Sequence, residues 1–591
     1  MNKTFTWPFI KKLFFLSLIT FFSAARGFAQ APVISSFSPA SGPVGTSVTI
    51  TGAGFNTTAA NNIVFFGATK AAVTAASTIG LTVTVPVGAT YEPISVLNGN
   101  TALKGYSAKP FATTFAPNKG NITANDLMPP VTVSTGPTYN GVAISDIDGD
   151  GKPDLVMAND STAFSVLQNT STSGSITPTS FAPKIDFGTA VGLYQISVGD
   201  LDGDGKPDVV VCGQSTNSGI HIYRNTSTVG SISFAASVDF NDPYLPHDVA
   251  IADLDGDGKP EIAVADDQNN SVSIWRNMST SGSITPSSFR FWTRLYSENN
   301  HSYLNSFHLS IAIGDLDGNG KPDIVVADAL NNSVSVFRNN LTTAQPNNGQ
   351  PFDPGVEFAT GNGVNYSITD PAVVEIGDLD GDGKPDIITS NHSNYSISIL
   401  RNASVPGTIA SNSFAPRVTI TAPNPWGIAI GDMDGDGKPD LAIVNKENNK
   451  VSVFRNTSVS GSITTTSFAP WVDFAAGKLP LFIAMGDLDS DGKADIAVTN
   501  ASTPTVGMIS VLRNNPLLPP GTQATNIVFT NTATNSTTAT WTNGNGTGRA
   551  VFIVEASSGN SVPANSTSYT GNPIYHSGTQ VGTTGWYCVY N

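Results

Sequence analysis

Asp432-Met433-Asp434-Gly435-Asp436-Gly437-Lys438-Pro439-Asp440 places acidic side chains at positions 1, 3, 5 and 9 of a nine-residue stretch, with glycine at position 6. Carboxylates on alternate residues turn inward when a loop coils around a hard divalent cation, the glycine allows the sharp bend, and the position-7 carbonyl adds an oxygen. The pattern occurs seven times; the other copies begin at Asp146, Asp200, Asp253, Asp315, Asp378 and Asp487, and successive copies are 54, 53, 62, 63, 54 and 55 residues apart. An isolated aspartate-glycine cluster reads as a solvated turn, whereas seven in register read as about seven calcium sites.

The candidate ligands follow from the register. In the first loop they are Asp146, Asp148, Asp150, Asp154 and the carbonyl of Lys152, and in the second Asp200, Asp202, Asp204, Asp208 and Lys206. The third has Asp253, Asp255, Asp257, Lys259 and Glu261, and the fourth Asp315, Asp317, Asn319, Lys321 and Asp323. Asp378, Asp380, Asp382, Lys384 and Asp386 form the fifth, and Asp432, Asp434, Asp436, Lys438 and Asp440 the sixth. The seventh has Asp487, Asp489, Asp491, Lys493 and Asp495. Asn319 removes a charge, Glu261 lengthens a ligand, and Ser490 and Ala494 stand where the other loops have glycine and proline, which loosens the seventh turn.

Proline at position 8 opposes the helix that an EF-hand would require, and a β-branched run such as Asp323-Ile324-Val325-Val326 follows instead. A similar run, Gly427-Ile428-Ala429-Ile430-Gly431, precedes the loop, so the local unit is strand, cation loop, strand. A third strand ends in Arg-Asn, as at Arg455-Asn456, and a fourth opens with Phe-Ala-Pro, as at Phe414-Ala415-Pro416. Four strands per repeat is a propeller blade, and seven repeats lie within the range of closed propellers. The seventh repeat stops after its third strand at Ile509-Ser510-Val511-Leu512, while an orphan strand, Pro130-Val131-Thr132-Val133-Ser134, precedes the first loop. Pairing these ends completes blade seven and removes the exposed edges. The expected fold is all-β: a seven-bladed calcium-binding propeller over 111–516, flanked by a sandwich at 31–110 and an incomplete sandwich at 522–591.

The net charge is −16, and the seven loops hold 27 of the 45 acidic side chains. The acidity therefore belongs to cation sites, and a surface of this sign excludes nucleic acid as a partner. Lys3, Lys11 and Lys12, the apolar run Leu13 to Phe22 and the small-residue site Gly27-Phe28-Ala29 form an export signal spanning 1–29. No later stretch is long enough to span a membrane, so the expected location is secreted or at the cell surface. Two cysteines, Cys212 in an apolar run and Cys588 near the end, make no disulfide framework.

These repeats resemble the FG-GAP/VCBS blades of integrin α-subunit propellers and their bacterial relatives. Phe187-Gly188 falls at that family's Phe-Gly and Asp200 to Asp208 at its cation loop, while Val326-Ala327-Asp328-Ala329 stands where Gly-Ala-Pro is expected. The first module, from Val33-Ile34-Ser35-Ser36-Phe37 through Gly42-Pro43-Val44-Gly45 to Leu81-Thr82-Val83-Thr84-Val85, resembles the IPT/TIG immunoglobulin-like domains. The last, with Ala539-Thr540-Trp541-Thr542, resembles a fibronectin type III sandwich cut short at Asn591. The resemblances imply an extracellular recognition or adhesion protein for protein or glycan ligands. The alternative is a targeting region of an exported hydrolase or lyase whose catalytic part lies beyond Asn591.

No nucleophile elbow, His-Glu-x-x-His or phosphate loop occurs, and the six histidines are scattered singly, so the reading is a non-enzyme. The connections from fourth to first strands each carry an aromatic residue: Tyr139, Tyr194, Tyr244, Phe307, Tyr366, Trp426 and Phe482. These connections lie on the face opposite the cation loops. Either the rings pack over the inner strands or they form platforms for sugars or a protein loop. The candidate ligand residues are Trp292, Tyr296, Tyr303, Phe307 and Trp426.

Overall fold

The computed structural model describes residues 30–514 apart from short segments (116–119, 137–138, 160–162, 190, 214–218, 243, 267–270, 298–307, 330, 342–350, 362–370 and 504–505), together with strands at 525–533, 536–542, 551–553 and 587–590. The expected export signal and the positions of Tyr303, Phe307 and Tyr366 lie outside the described residues. Among those described, no helix is long and apolar enough to cross a membrane.

Seven four-stranded antiparallel sheets form a propeller. Blade one shows the pattern: Tyr139–Ser145 leads into the cation loop, Asp154–Asn159 returns, and Ala163–Leu167 and Ile185–Gly188 complete the sheet outward. The second strands are buried at every residue in blades one to six, matching apolar runs such as Val209-Val210-Val211. Phe181 makes only an isolated bridge to Asn169, so the fourth strand begins later than the Phe-Ala-Pro signature.

Closure follows the expected exchange of ends. Val131–Gly136 pairs antiparallel with Val506–Leu512, Val131 opposite Val511 and Val133 opposite Ile509. Hydrophobic clusters sit between consecutive blades, and the seam is one of them: Leu155 and Met157 of blade one pack with Ala497, Ile509 and Val511 of blade seven. The second and third strands contribute to these clusters, at about 25 cal/mol per Å² of apolar surface removed from water.

Residues Val33–Pro110 form an immunoglobulin-like unit of seven strands in the order Val33–Ser38, Ser47–Ala53, Gly80–Thr84, Thr69–Ala76, Asn62–Phe66, Pro93–Asn98, Leu103–Pro110. Its core includes Val48, Ile50, Phe66, Val83, Val96 and Phe111. This unit is seated on the propeller's cation-loop face, an arrangement with no counterpart in the sequence reading. Lys104 N–H donates to the Gly258 carbonyl at 2.8 Å, and Asp146 N–H to the Ala68 carbonyl at 3.2 Å. Gly203 stands in the left-handed region (φ 71°), and a Cβ there would meet the Ala102 carbonyl at 2.6 Å, so glycine at this loop position also admits the neighbouring domain.

Candidate functional site

Each cation loop begins where a first strand ends, and its acids are turned inward by the loop's own N–H groups. In loop one, Gly149 N–H donates to Asp146 Oδ1 at 2.9 Å and Gly151 N–H to Asp146 Oδ2 at 3.0 Å. The two glycines have positive φ, which frees their N–H groups to point back at the carboxylate. The position-9 carboxylate is capped from both sides: Asp154 accepts from Ile147 N–H at 3.0 Å and from Asn169 N–H at 2.8 Å. Glu261 does the same through Leu254 N–H at 2.8 Å and Asn277 N–H at 3.2 Å, so its extra methylene is accommodated.

Positions 1, 3 and 9 converge. Asp146, Asp148 and Asp154 each bring one oxygen within 4.8 Å of the others; so do Asp200, Asp202 and Asp208; Asp253, Asp255 and Glu261; Asp315, Asp317 and Asp323; Asp378, Asp380 and Asp386; and two further groups. Clusters of this kind could hold metal ions. Within them, Asp202 Oδ2 and Asp378 Oδ1 are buried without a hydrogen-bond partner, which suits oxygens facing a cation. At position 5, Asp150 Oδ1 accepts Lys152 N–H at 2.8 Å, as Asp148 Oδ1 at position 3 accepts Asp150 N–H at 3.1 Å. Asn319 accepts likewise from Lys321 N–H at 2.8 Å and gives its amide N–H to the Asn339 carbonyl at 3.2 Å.

Burial and mutual repulsion raise several of these carboxylates above their ordinary range. Burial, with the neighbouring Asp257 and Asp255, raises Asp253 to about 7. Burial likewise raises Asp432 to about 7, Asp386 to about 8, and Asp146 and Asp487 to about 6. A dication would remove the repulsion and the need for those protons.

Two side chains that recur in the sequence without an assigned role prove to organise the loops. In blades three to seven the arginine closing the third strand engages the position-3 carboxylate: Arg276 reaches Asp255 at 2.5 Å, Arg338 reaches Asp317 at 2.5 Å, and Arg455 reaches Asp434 at 2.5 Å. In blade one Gln168 takes the place, donating to Asp148 at 2.6 Å, and in blade two Arg224 pairs with Asp204 at 3.7 Å instead. The asparagine that follows donates its amide to the position-2 carbonyl of the preceding blade's loop. The pairs are Asn225 with Ile147, Asn277 with Leu201, Asn339 with Leu254, Asn402 with Leu316, Asn456 with Leu379 and Asn514 with Met433, at 2.7–3.1 Å. Asn169 completes the circle on Leu488 at 2.7 Å. The repeated Arg-Asn pair was the available signal; its partners lie too far along the chain for spacing to reveal them. The position-7 lysines also hold the outer turns, as when Lys152 Nζ donates to the Ser171 carbonyl at 2.8 Å.

The N-terminal unit touches the same carboxylates from outside. Lys104 Nζ lies 3.3 Å from Asp200 Oδ2, with both side chains buried, and Gly88 N–H donates to Asp487 Oδ2 at 3.2 Å.

The aromatic candidates divide. On the face opposite the loops, Tyr194 stacks on His247 with centroids 4.3 Å apart, and the Arg294 guanidinium lies 4.1 Å from the Tyr244 centroid. Trp426 has Lys446 Nζ 3.7 Å over its ring and His392 edge-on at 5.1 Å, so these rings pack against neighbours. Trp292 corrects the expectation of a mouth site: it lies on Phe289–Tyr296, the outermost strand of blade three, half-buried against the cluster shared with blade four. Tyr296 is exposed at that strand's far end, opposite Ser271. Cys212 is free and buried, its thiol pushed up by burial.

Six overlapping segments, 146–211, 200–264, 253–326, 315–389, 378–443 and 432–498, match the FG-GAP-like repeat, and residues 32–115 match the IPT/TIG domain. Among solved structures, an auxiliary nutrient binding protein from Bacteroides thetaiotaomicron is similar at 10% identity, covering 82% of this chain and 98% of its own, with a TM-score of 0.33. One from Bacteroides ovatus is similar at 13% identity over 82% and 98% of the two chains, with a TM-score of 0.34.

Proposed function

Because the chain belongs to the FG-GAP-like repeat family, we propose that it is an exported binding protein whose propeller, held by calcium, presents a recognition surface to a protein or glycan outside the cell. One observation carries this reading: the acid groups are tied into the circle of inter-blade asparagine bonds and partly roofed by the N-terminal unit. A cation bound in such a place fixes the scaffold, and function then falls to the rim and the loops of the other face. Oxygen-only ligands in flexible acidic loops suit calcium, and extracellular sites of this type commonly bind at roughly 10⁻⁴–10⁻³ M. The export signal supports the location, since a calcium-rich exterior would fill the loops.

The test is an array of glycans and matrix proteins probed with the full chain in calcium and in chelator. Binding that requires calcium supports the reading. An array without a single ligand in either condition contradicts it.

A further inference from the structure

Blade three departs from the other blades at one place. Where they read Phe181-Ala182-Pro183, Phe234-Ala235-Ala236, Phe352-Asp353-Pro354, Phe414-Ala415-Pro416 and Phe468-Ala469-Pro470, blade three reads Phe289-Arg290-Phe291-Trp292. Elsewhere the phenylalanine makes an isolated bridge. In blade three the pairing runs on through Arg276 opposite Arg290 and Trp275 opposite Phe291, then skips Trp292 before Ile274 meets Thr293. An extra residue of this kind re-aims its neighbours and bends the strand.

The consequence is a cleft of about 460 Å³ on the outer rim, between the strand's start and the outer arm of loop three. Phe291 and Met278 are exposed at 44% and 55%, large values for apolar side chains that line a cleft. Arg290 is exposed and pairs with no carboxylate among the described residues. Lys259 and the Arg276 guanidinium, which pairs with Asp255 and lies 5.7 Å from the Trp292 centroid, line the cleft beside Asp257. The four acids of loop three outnumber these three cations by one, so a dication in the loop turns the locality from net negative to net positive.

We propose that this cleft binds an anionic polysaccharide in a calcium-dependent manner. A sugar ring lays its C–H face on Phe291 and its carboxylate or sulfate on Arg290, the pairing a planar guanidinium favours. A small inorganic anion would leave Phe291 and Met278 uncovered, whereas a polymer lying along the rim covers both. The inference rests on the binding function proposed above and names its site and ligand class.

The experiment measures binding of the full chain, in about millimolar calcium, to polygalacturonate, dextran sulfate, neutral dextran and polyglutamate. The wild type is expected to bind one or both anionic polysaccharides, the two arms separating carboxylate from sulfate, and to release them in chelator. Arg290→Ala with Phe291→Ala should weaken that binding by about tenfold or more, and because both side chains are exposed the melting curve should not move. Val459→Ala, an exposed side chain in the outer turn of blade six, should bind as the wild type does. Failure to bind either anionic polysaccharide, equal binding by the double variant, or equal binding of polyglutamate overturns the proposal. If the wild type then still binds another ligand on the array, the general binding function stands without this site; if it binds none, both fall.

Discussion

The Asn169 amide donates to the Leu488 carbonyl at 2.7 Å across 319 residues of sequence. The same amide donates to the Pro153 carbonyl at 2.8 Å, so one side chain joins the first cation loop to the last. Both acceptors are buried next to Asp154 and Asp489, which makes the ring's seam and its acid groups one structure.

Asn169→Ala should therefore act at the seam. It takes the amide from the buried Pro153 carbonyl, at a cost of about 1–3 kcal/mol for an unsatisfied group, and leaves the Leu488 carbonyl with the Ser171 hydroxyl at 3.0 Å. Denaturant unfolding should show a lower midpoint with an unchanged slope. Deleting residues 111–140 removes the closing strand as well and should give aggregation or loss of cooperative unfolding.

Without calcium, stability should fall as pH rises. Burial holds Asp146 and Asp487 at about 6 and Asp253 and Asp432 at about 7 in the folded chain. In the unfolded chain such groups titrate near about 4, so the folded state binds more protons between those values. The proton-linked contribution is complete below about pH 4 and is lost as pH passes through about 6–7. Melting temperatures in chelator should drop from pH 5 to pH 8, and the gain on adding calcium should grow over that range. A chelator curve that rises with pH would contradict this.

Lys104→Met should loosen the N-terminal unit. The Lys104–Asp200 pair is buried on both sides, and removing one partner of such a pair typically costs about 3–5 kcal/mol. Small-angle scattering in calcium should give a larger radius of gyration for the variant. An unchanged radius would mean that the apolar contacts hold the domain without this pair.

Asn319→Asp separates charge from hydrogen bonding. By charge alone the substitution strengthens loop four. However, the Asn319 amide donates to the Asn339 carbonyl at 3.2 Å, and a carboxylate would face that oxygen instead. Calcium affinity should rise, while stability in chelator should fall by about 1 kcal/mol. Calcium counting and melting on the same variant read the two effects independently.

The repeats and closure were legible in the sequence because both are local patterns: seven loops in register, and an orphan strand at one end matching a missing strand at the other. The roles of Arg455 and Asn456 were visible only as a repeated pair. Arg455 reaches Asp434 within its own blade, whereas Asn456 reaches Leu379 in the preceding one, a tertiary relationship that spacing does not encode. The seat of the N-terminal unit on the loops depends on Gly88, Lys104 and Gly203 meeting partners far along the chain, and Trp292 was displaced to the rim by strand pairing that its neighbours' identity alone did not fix.

The central claim is that calcium in the acid groups holds the ring together, and thermal unfolding of the full chain in chelator and in calcium tests it most directly. At ten times its dissociation constant, calcium at one independent site adds roughly 1.4 kcal/mol, so several filled loops should raise the melting temperature by many degrees. The account predicts a large rise that chelator reverses; superimposable curves in calcium and in chelator would contradict it.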